Sequence, residues 1–178
     1  SVDEQPHKAN LEKIPQLRPA FAENGTITPA NSSSISDGAS ALLLASEQAV
    51  EAHGLTARAR IVAHSRNSLA PEAFTLAPIG AAEEVLAKAG WTVADVDLWE
   101  INEAFAMVTM LTIDALKLDP TCVNVHGGAC AQGHPIGSTG SRIIVTLMHA
   151  LEHYGKKRGV AALCIGGGEA TAVAIELV

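Results

Sequence analysis

"GVAALCIGGGEATAVAIELV", residues 159–178, decides how the rest of this chain must fold. Two apolar runs rich in Ala, Val and Ile flank Gly166, Gly167 and Gly168. Short apolar runs bounded by glycine suit strands buried on both faces. A glycine turn between them makes an antiparallel hairpin the simplest connection. A buried hairpin needs further strands and covering helices, and the upstream sequence supplies both periods. "ARIVAHS" (59–65) reads as a strand and "IGAAEEVLAKAGW" (79–91) as an amphipathic helix stopped at Gly90. "VDLWEIN" (96–102) alternates as a strand does, and "EAFAMVTMLTIDALKL" (103–118) is an apolar helix. "TCVNVHGG" (121–128) reads as a short strand, and 138–154 as a helix with Ile143, Ile144, Leu147, Leu151 and Tyr154 along one side. The order β-α-β-α-β-α-β-β predicts an α/β fold: a mixed sheet with helices on both faces and functional groups on loops at strand ends.

Before residue 39 the reading changes. Residues 1–38 are irregular, with prolines and the Ser/Asn/Gly-rich run "GTITPANSSSISDG". "ASALLLASEQAVEAHG" (39–54) predicts a strand or buried segment leading into a helix that ends near Gly54. The chain opens on Ser1 without an initiator Met and reads like the middle of a longer protein.

Composition narrows the function. The net charge is −7 with no basic stripe, which argues against a nucleic-acid partner. No apolar run is long enough for a membrane span. The three cysteines, Cys122, Cys130 and Cys164, form no CxxC pair, so reduced thiols in a cytoplasmic compartment are expected.

Several catalytic-looking patterns fail on inspection. "HALEH" (149–153) has the spacing of a zinc signature, but His149, Glu152 and His153 lie opposite the apolar face of their helix, so a solvated helix end is expected. His126, Cys130 and His134 would align as ligands only on a helix, which Gly127, Gly128, Gly133 and Pro135 oppose; no metal site is expected. "GHPIGSTG" lacks the lysine of a phosphate-binding loop. Three places survive: Asn102 with Glu103 at a strand-to-helix handover, His134 between Gly133 and Pro135, and Cys164 before three glycines. Each has a bland alternative, an N-cap, a tight turn and inert packing respectively. Together they set an amide, an imidazole and a thiol on loops after strands.

"NEAFA", "GHPIGSTGSR" and "CIGGGE", in this order and spacing, resemble the three C-terminal signature motifs of the thiolases. "LRPAF…GTITPANSSSISDGASALLL" resembles the family segment leading into them, so the likeness covers essentially the whole chain. It implies one half of a five-layer αβαβα sandwich. Residues 1–58 would be the tail of the loop region and the remainder of the N-terminal half, and 59–178 the C-terminal domain. The implied activity is the reversible Claisen condensation of two acyl-CoA molecules to a 3-ketoacyl-CoA and free CoA, through an acyl-cysteine. CoA thioesters are then substrates, with no further cofactor, and a homo-oligomer is expected.

The resemblance also implies roles. His134 would activate the nucleophilic thiol and help bind the thioester oxygen. Cys164 would be the acid/base for the α-proton. Asn102 would hold a water in the first oxyanion hole, and the Gly166 N–H would serve the second. Ser33 would lie near the pantetheine arm of CoA, and Phe105 would line the pocket. The sequence departs from the family pattern at His126, Cys130, Gln132 and "TLAPIG". None of the three cysteines has the Cys-Gly-Ser-type context of the family nucleophile. The chain is therefore expected to be inactive alone and to need the missing N-terminal half as partner. The other reading is a non-catalytic CoA- or partner-binding remnant of the same fold.

Overall fold

The computed structural model of the chain describes residue 2, residue 7 and residues 9–178. Its elements, in order, are α1 (Glu47–His53), β1 (Ala59–Ser68), α2 (Ala77–Ala89), β2 (Leu98–Ile101), α3 (Ala106–Leu116), α4 (Ala129–Gln132), α5 (Thr139–His153), β3 (Arg158–Cys164) and β4 (Glu169–Leu177), with short 3-10 turns between some of them. The C-terminal hairpin forms. β3 and β4 pair antiparallel from Arg158↔Glu176 to Cys164↔Ala170. β4 takes β1 antiparallel on its other edge, and β3 takes β2 parallel, giving the mixed order β1-β4-β3-β2.

Strand alternation feeds two cores. Trp99, Ile101, Val160, Ala162, Cys164, Ala170, Ala172 and Ala174 face α2 and α3, where Ala81, Ala82, Val85 and Val108 are fully buried. Leu98, Ala161 and Ile175 face α5, which contributes Ile143, Leu147 and Leu151. Each fully buried Val, Leu or Ile among them contributes about 1.5–3 kcal/mol. The many alanines let α2 press close to the sheet. On the opposite face Gly159 does the same for α5: a Cβ there would stand 2.7 Å from a Leu147 methyl group.

The helices at 79–91 and 138–154 appear close to their expected bounds, and Gly90 caps α2 in the left-handed region with φ 68°. The helix expected from residue 103 starts instead at Ala106, because Phe105 is extended and acts as its N-cap residue. Residues 121–128 do not form a strand. After a 3-10 turn at Pro120–Cys122, Val123 makes one isolated parallel bridge to Trp99, and the chain turns through Asn124 (φ 49°) and Gly127 (φ 86°). The physical reason is the side chain of Asn124. It accepts from Ile101 N at 2.8 Å and donates to Ile101 O at 2.9 Å, replacing the ladder that a strand would have made.

Residues 39–46 are neither strand nor buried: they have no regular structure, and Leu43 and Leu44 are largely exposed. They border an apolar groove of about 680 Å³ whose walls include Leu42, Leu44, Ile61, Ile144, Met148 and Val173. In chain terms, α5 covers the β2–β3 side of its sheet face and leaves the β4–β1 side open.

The hairpin turn is fixed by contact with the end of β1. Gly168 has φ 106°, accepts from Leu69 N at 2.9 Å, and a Cβ on it would collide with the Leu69 carbonyl. Gly166 has nothing within 4 Å of the same position. Gly168→Ala is therefore expected to lower unfolding free energy by about 2 kcal/mol or more, while Gly166→Ala stays within about 0.5 kcal/mol. Denaturant titration of both variants checks this, and equal losses would contradict it.

Candidate active site

Asn102 follows the last residue of β2, and its N–H donates to Ala162 O at 2.9 Å, which extends the parallel pairing by one residue. That places Asn102 at the C-terminal end of β2 beside the end of β3, which carries Cys164. Asn102 is 1% exposed. Its Oδ1 accepts from Arg142 Nη2 at 3.5 Å, while its Nδ2 is buried without a protein partner.

Glu103, read from sequence only as a cap candidate, has a definite job. Its carboxylate accepts from Cys130 N at 3.0 Å and from Asn124 Nδ2 at 3.4 Å, which ties the end of β2 to the glycine loop. A Cβ on Gly128 would collide with that carboxylate, so this glycine makes room for it. The loop residue Cys130 sits half-buried under Glu103, and its thiol is pushed up to about 11 by burial first, then by the charge of Glu103. Gln132 donates to His126 O at 2.8 Å and to Gly127 O at 3.3 Å, bracing the same loop. His126 packs its ring against His153 and Tyr154 at 5.8 and 5.6 Å between centroids. The departures at 126 and 132 thus brace the loop from outside, while Cys130 packs beneath Glu103.

His134 is held from three sides. Gly133, at φ 92°, ends the four-residue α4, and a Cβ there would collide with the Ser36 hydroxyl. This short helix was not expected among so many glycines, but it stops before His134, so His126, Cys130 and His134 never share a helical face. The N–H of His134 donates to Ser34 O at 2.9 Å. Its Nδ1 lies 2.7 Å from the hydroxyl of buried Thr139, and that hydroxyl donates to Pro135 O at 3.0 Å. With its single hydrogen so used, Thr139 accepts from Nδ1–H, and the basic lone pair of the ring sits on Nε2. Burial, then the charge of Arg142, lowers the His134 pKa below its ordinary value, so the ring is neutral near pH 7 and able to take a proton.

Cys164 ends β3 and is 7% exposed; burial raises its thiol pKa, keeping it protonated at neutral pH. Phe105 meets Phe21 and Phe74 edge-on at 5.7 and 6.3 Å. Ser33 donates its hydroxyl to Ala104 O at 2.9 Å and its N–H to the same carbonyl at 3.2 Å, so it anchors the 32–35 segment across the "NEAFA" turn. One segment thus joins the neighbours of Phe105 to His134: Ser32 bridges Phe105 and Ile35 bridges His134. Among the described residues no group of three or more His, Cys, Asp or Glu side chains could hold a metal ion. In the "HALEH" stretch, Glu152 pairs with Arg58 at 2.6 Å, and His149 lies exposed beside it.

The comparisons with known proteins follow the same residues. The family model for the C-terminal domain of thiolase matches residues 55–177, and that for the thiolase N-terminal domain matches residues 1–48. The chain belongs to the thiolase family. It is 48% identical over 178 residues to the cytosolic acetyl-CoA acetyltransferase of Mus musculus, covering 98% of this chain and 45% of that protein. The crystal structure of the Bacillus anthracis acetyl-CoA acetyltransferase superposes with a TM-score of 0.91 at 41% identity, covering 96% of this chain and 43% of that one. The Ascaris suum thiolase Acat5, solved in complex with coenzyme A, matches with a TM-score of 0.89 at 41% identity, covering 100% of this chain and 47% of that one. This thiolase chain therefore spans less than half the length of the relatives it matches. No helix among its described residues is long and apolar enough to cross a membrane.

Sequence reasoning missed Glu100, Thr139 and Arg142. Glu100 is 1% exposed on the α5 face of β2. Burial pushes its carboxyl up to about 7; Arg142 from α5 opposes the rise, and Glu103 from the following loop adds to it. A glutamate at an apolar alternation position of "LWEI" was the available signal. Between its ordinary 4.5 and about 7, the folded chain holds a proton that the unfolded chain has released. Its contribution to stability is therefore fully present below about 4.5 and is lost as pH rises through 7. Glu100→Gln should flatten this decline, by roughly 3 kcal/mol at most between about pH 5 and about pH 8. Denaturant melts of both proteins at the two pH values check it; parallel curves would contradict it.

Proposed function

We propose that this chain is the C-terminal part of a thiolase, acting on acyl-CoA and CoA together with the remaining N-terminal portion. The observation that carries the reading is the placement of Asn102, Cys164 and His134. Asn102 and Cys164 sit at the C-terminal ends of two parallel neighbouring strands, and the His134 loop enters the helix packed over them. We divide the chain at residue 58, with 1–58 belonging to the N-terminal half and 59–178 forming the C-terminal domain. Support comes from the bounds of the two family-model matches and from the exposed leucines at 43 and 44.

In the thiolysis direction, Nε2 of His134 takes the proton from a cysteine thiol supplied by the N-terminal portion. The thiolate adds to the 3-keto carbon of a 3-ketoacyl-CoA. Collapse breaks the bond between C2 and C3, leaves the acyl group on that cysteine, and releases the electron pair to C2 as the enolate of acetyl-CoA. The thiol of Cys164 gives its proton to C2. Free CoA then passes its thiol proton to the Cys164 thiolate and attacks the acyl group, breaking its bond to the cysteine to leave as an acyl-CoA, and the freed cysteine thiolate takes back the proton held by His134. Condensation reverses each step, with the Cys164 thiolate removing the α-proton. A buried thiol raised above its ordinary pKa holds the proton this step needs. Asn102, through a water held on its Nδ2–H, serves the first oxyanion, and the Gly166 N–H serves the second. Donors so placed contribute roughly 3–4 kcal/mol each to such barriers. The exposed Gly166, open on its Cβ side, allows a thioester oxygen close approach. Phe105 lines the acyl site, and Ser33 sets the neighbouring backbone for the pantetheine arm. A homo-oligomer in the cytoplasm, with no metal and no cofactor beyond its CoA substrates, completes the proposal.

A second reading has its own observation. None of Cys122, Cys130 and Cys164 stands in a Cys-Gly-Ser-type context, which favours a CoA- or partner-binding role for the chain by itself. Acetoacetyl-CoA thiolysis separates the two. The chain is co-expressed with the residues of the mouse relative that lie outside the matched stretch. Turnover is expected from the pair and not from the chain alone. His134→Ala and Cys164→Ser should each lower kcat by about a hundredfold or more, and Thr139→Val by about tenfold through loss of the fixed tautomer. Full activity in either of the first two variants would sink the assigned roles. CoA binding without turnover would favour the second reading.

A further inference from the structure

Four polar side-chain atoms in the described structure are buried without a hydrogen-bond partner: Glu100 Oε1, Asn102 Nδ2, and Arg142 Nε and Nη1. They belong to three residues that meet where α5 crosses the end of β2. Glu100 and Asn102 lie two apart on β2 and the residue after it, each 1% exposed, so both turn toward the α5 face. Arg142, in the first turn of α5, has a side chain only 17% exposed. Its Nη1 stands 3.9 Å from Glu100 Oε2, and its Nη2 donates to Asn102 Oδ1 at 3.5 Å. Buried polar groups are costly when unpaired, so a cluster of them off the main hydrogen-bond ladder marks a site held for a purpose other than stability.

An amide is ambiguous until its neighbours decide which end faces where. Arginine has only donors and cannot accept. With Nδ2 turned toward Arg142, two sets of donors would face each other in a buried site. With Oδ1 turned toward it, the contact is charge-assisted and Nδ2–H is left as the free donor. We propose that Arg142, anchored by Glu100, is a positioning residue that fixes the Asn102 carboxamide with Oδ1 inward, so that only its N–H end is offered to the first oxyanion hole. The inference rests on the thiolase reading of Asn102 and adds the device that sets its polarity. Without it the amide turns freely, and its oxygen end would repel the charge that the site must stabilise. A cation bound at Oδ1 also polarises the amide and strengthens its N–H as a donor.

A double-mutant cycle tests this in the co-expressed pair, by acetoacetyl-CoA thiolysis. Arg142→Met should lower kcat by about tenfold with KM changed less than about twofold. In an Asn102→Ala background the same substitution should cost less than about twofold, because Arg142 acts through Asn102. Equal losses in both backgrounds would overturn the proposal. Where Arg142→Met does not fold, Arg142→Lys keeps the charge and enters the same cycle, with a smaller loss expected and the same non-additivity; additive losses overturn the proposal here too. If the unaltered pair shows no thiolysis, the proposed function fails, and an atomic-resolution crystal structure of the unaltered chain decides this inference separately. Oδ1 of Asn102 facing Arg142 supports it, and Nδ2 facing Arg142 overturns it.

Discussion

The parallel register of β2 on β3 is the constraint on which the rest depends. Leu98↔Gly159 through Ile101↔Ala162, extended by Asn102 N–H to Ala162 O, sets the two C-terminal strand ends level. A shift of one residue would exchange the faces of β2. It would put Glu100 against the apolar α2/α3 core and Ile101 against Arg142, and would turn Asn102 away from Arg142. Gly159 supports the register from the other side, since α5 presses Leu147 onto it and a Cβ there would force Leu147 to shift. The mixed sheet, the two cores and the site are all consequences of this one short pairing.

The loop from Asn124 to Thr139 is built by replacement of backbone partners with side chains. Asn124 substitutes for a strand ladder, Glu103 receives the N–H of Cys130, and Gln132 holds two carbonyls of the preceding turn. Such a loop carries only the one-turn α4, but it can hold one ring in one tautomer. Thr139 does so by spending its hydrogen on Pro135 O. Polar groups here therefore specify geometry, while the aliphatic residues of α2, α5 and the hairpin supply stability.

The open side of the sheet has a similar logic. The groove beside residues 41–45 is walled by apolar residues of β1, β4 and α5, and Leu43 and Leu44 stand exposed at its edge. A sequence as apolar as "ALLLA" reads as strand or core because it is composed for burial. Within the described chain nothing covers it, so a segment composed for burial stands exposed and makes none of the strand pairing its composition suggests.

The sequence by itself determined the α/β class, the hairpin, the helices read at 79–91 and 138–154, and the family, because period, glycine stops and motif order are local properties of a chain. It also singled out Asn102, His134 and Cys164 by type and position. It did not reveal that 121–128 would be a turn, since the decisive partner, Ile101, is distant in sequence from Asn124. Nor did it show Glu100, Arg142 and Thr139 gathered around the same site. Only the tertiary structure decided those, because the energy of a buried charge or amide depends on which partners the fold brings within reach, and that is written in no single segment.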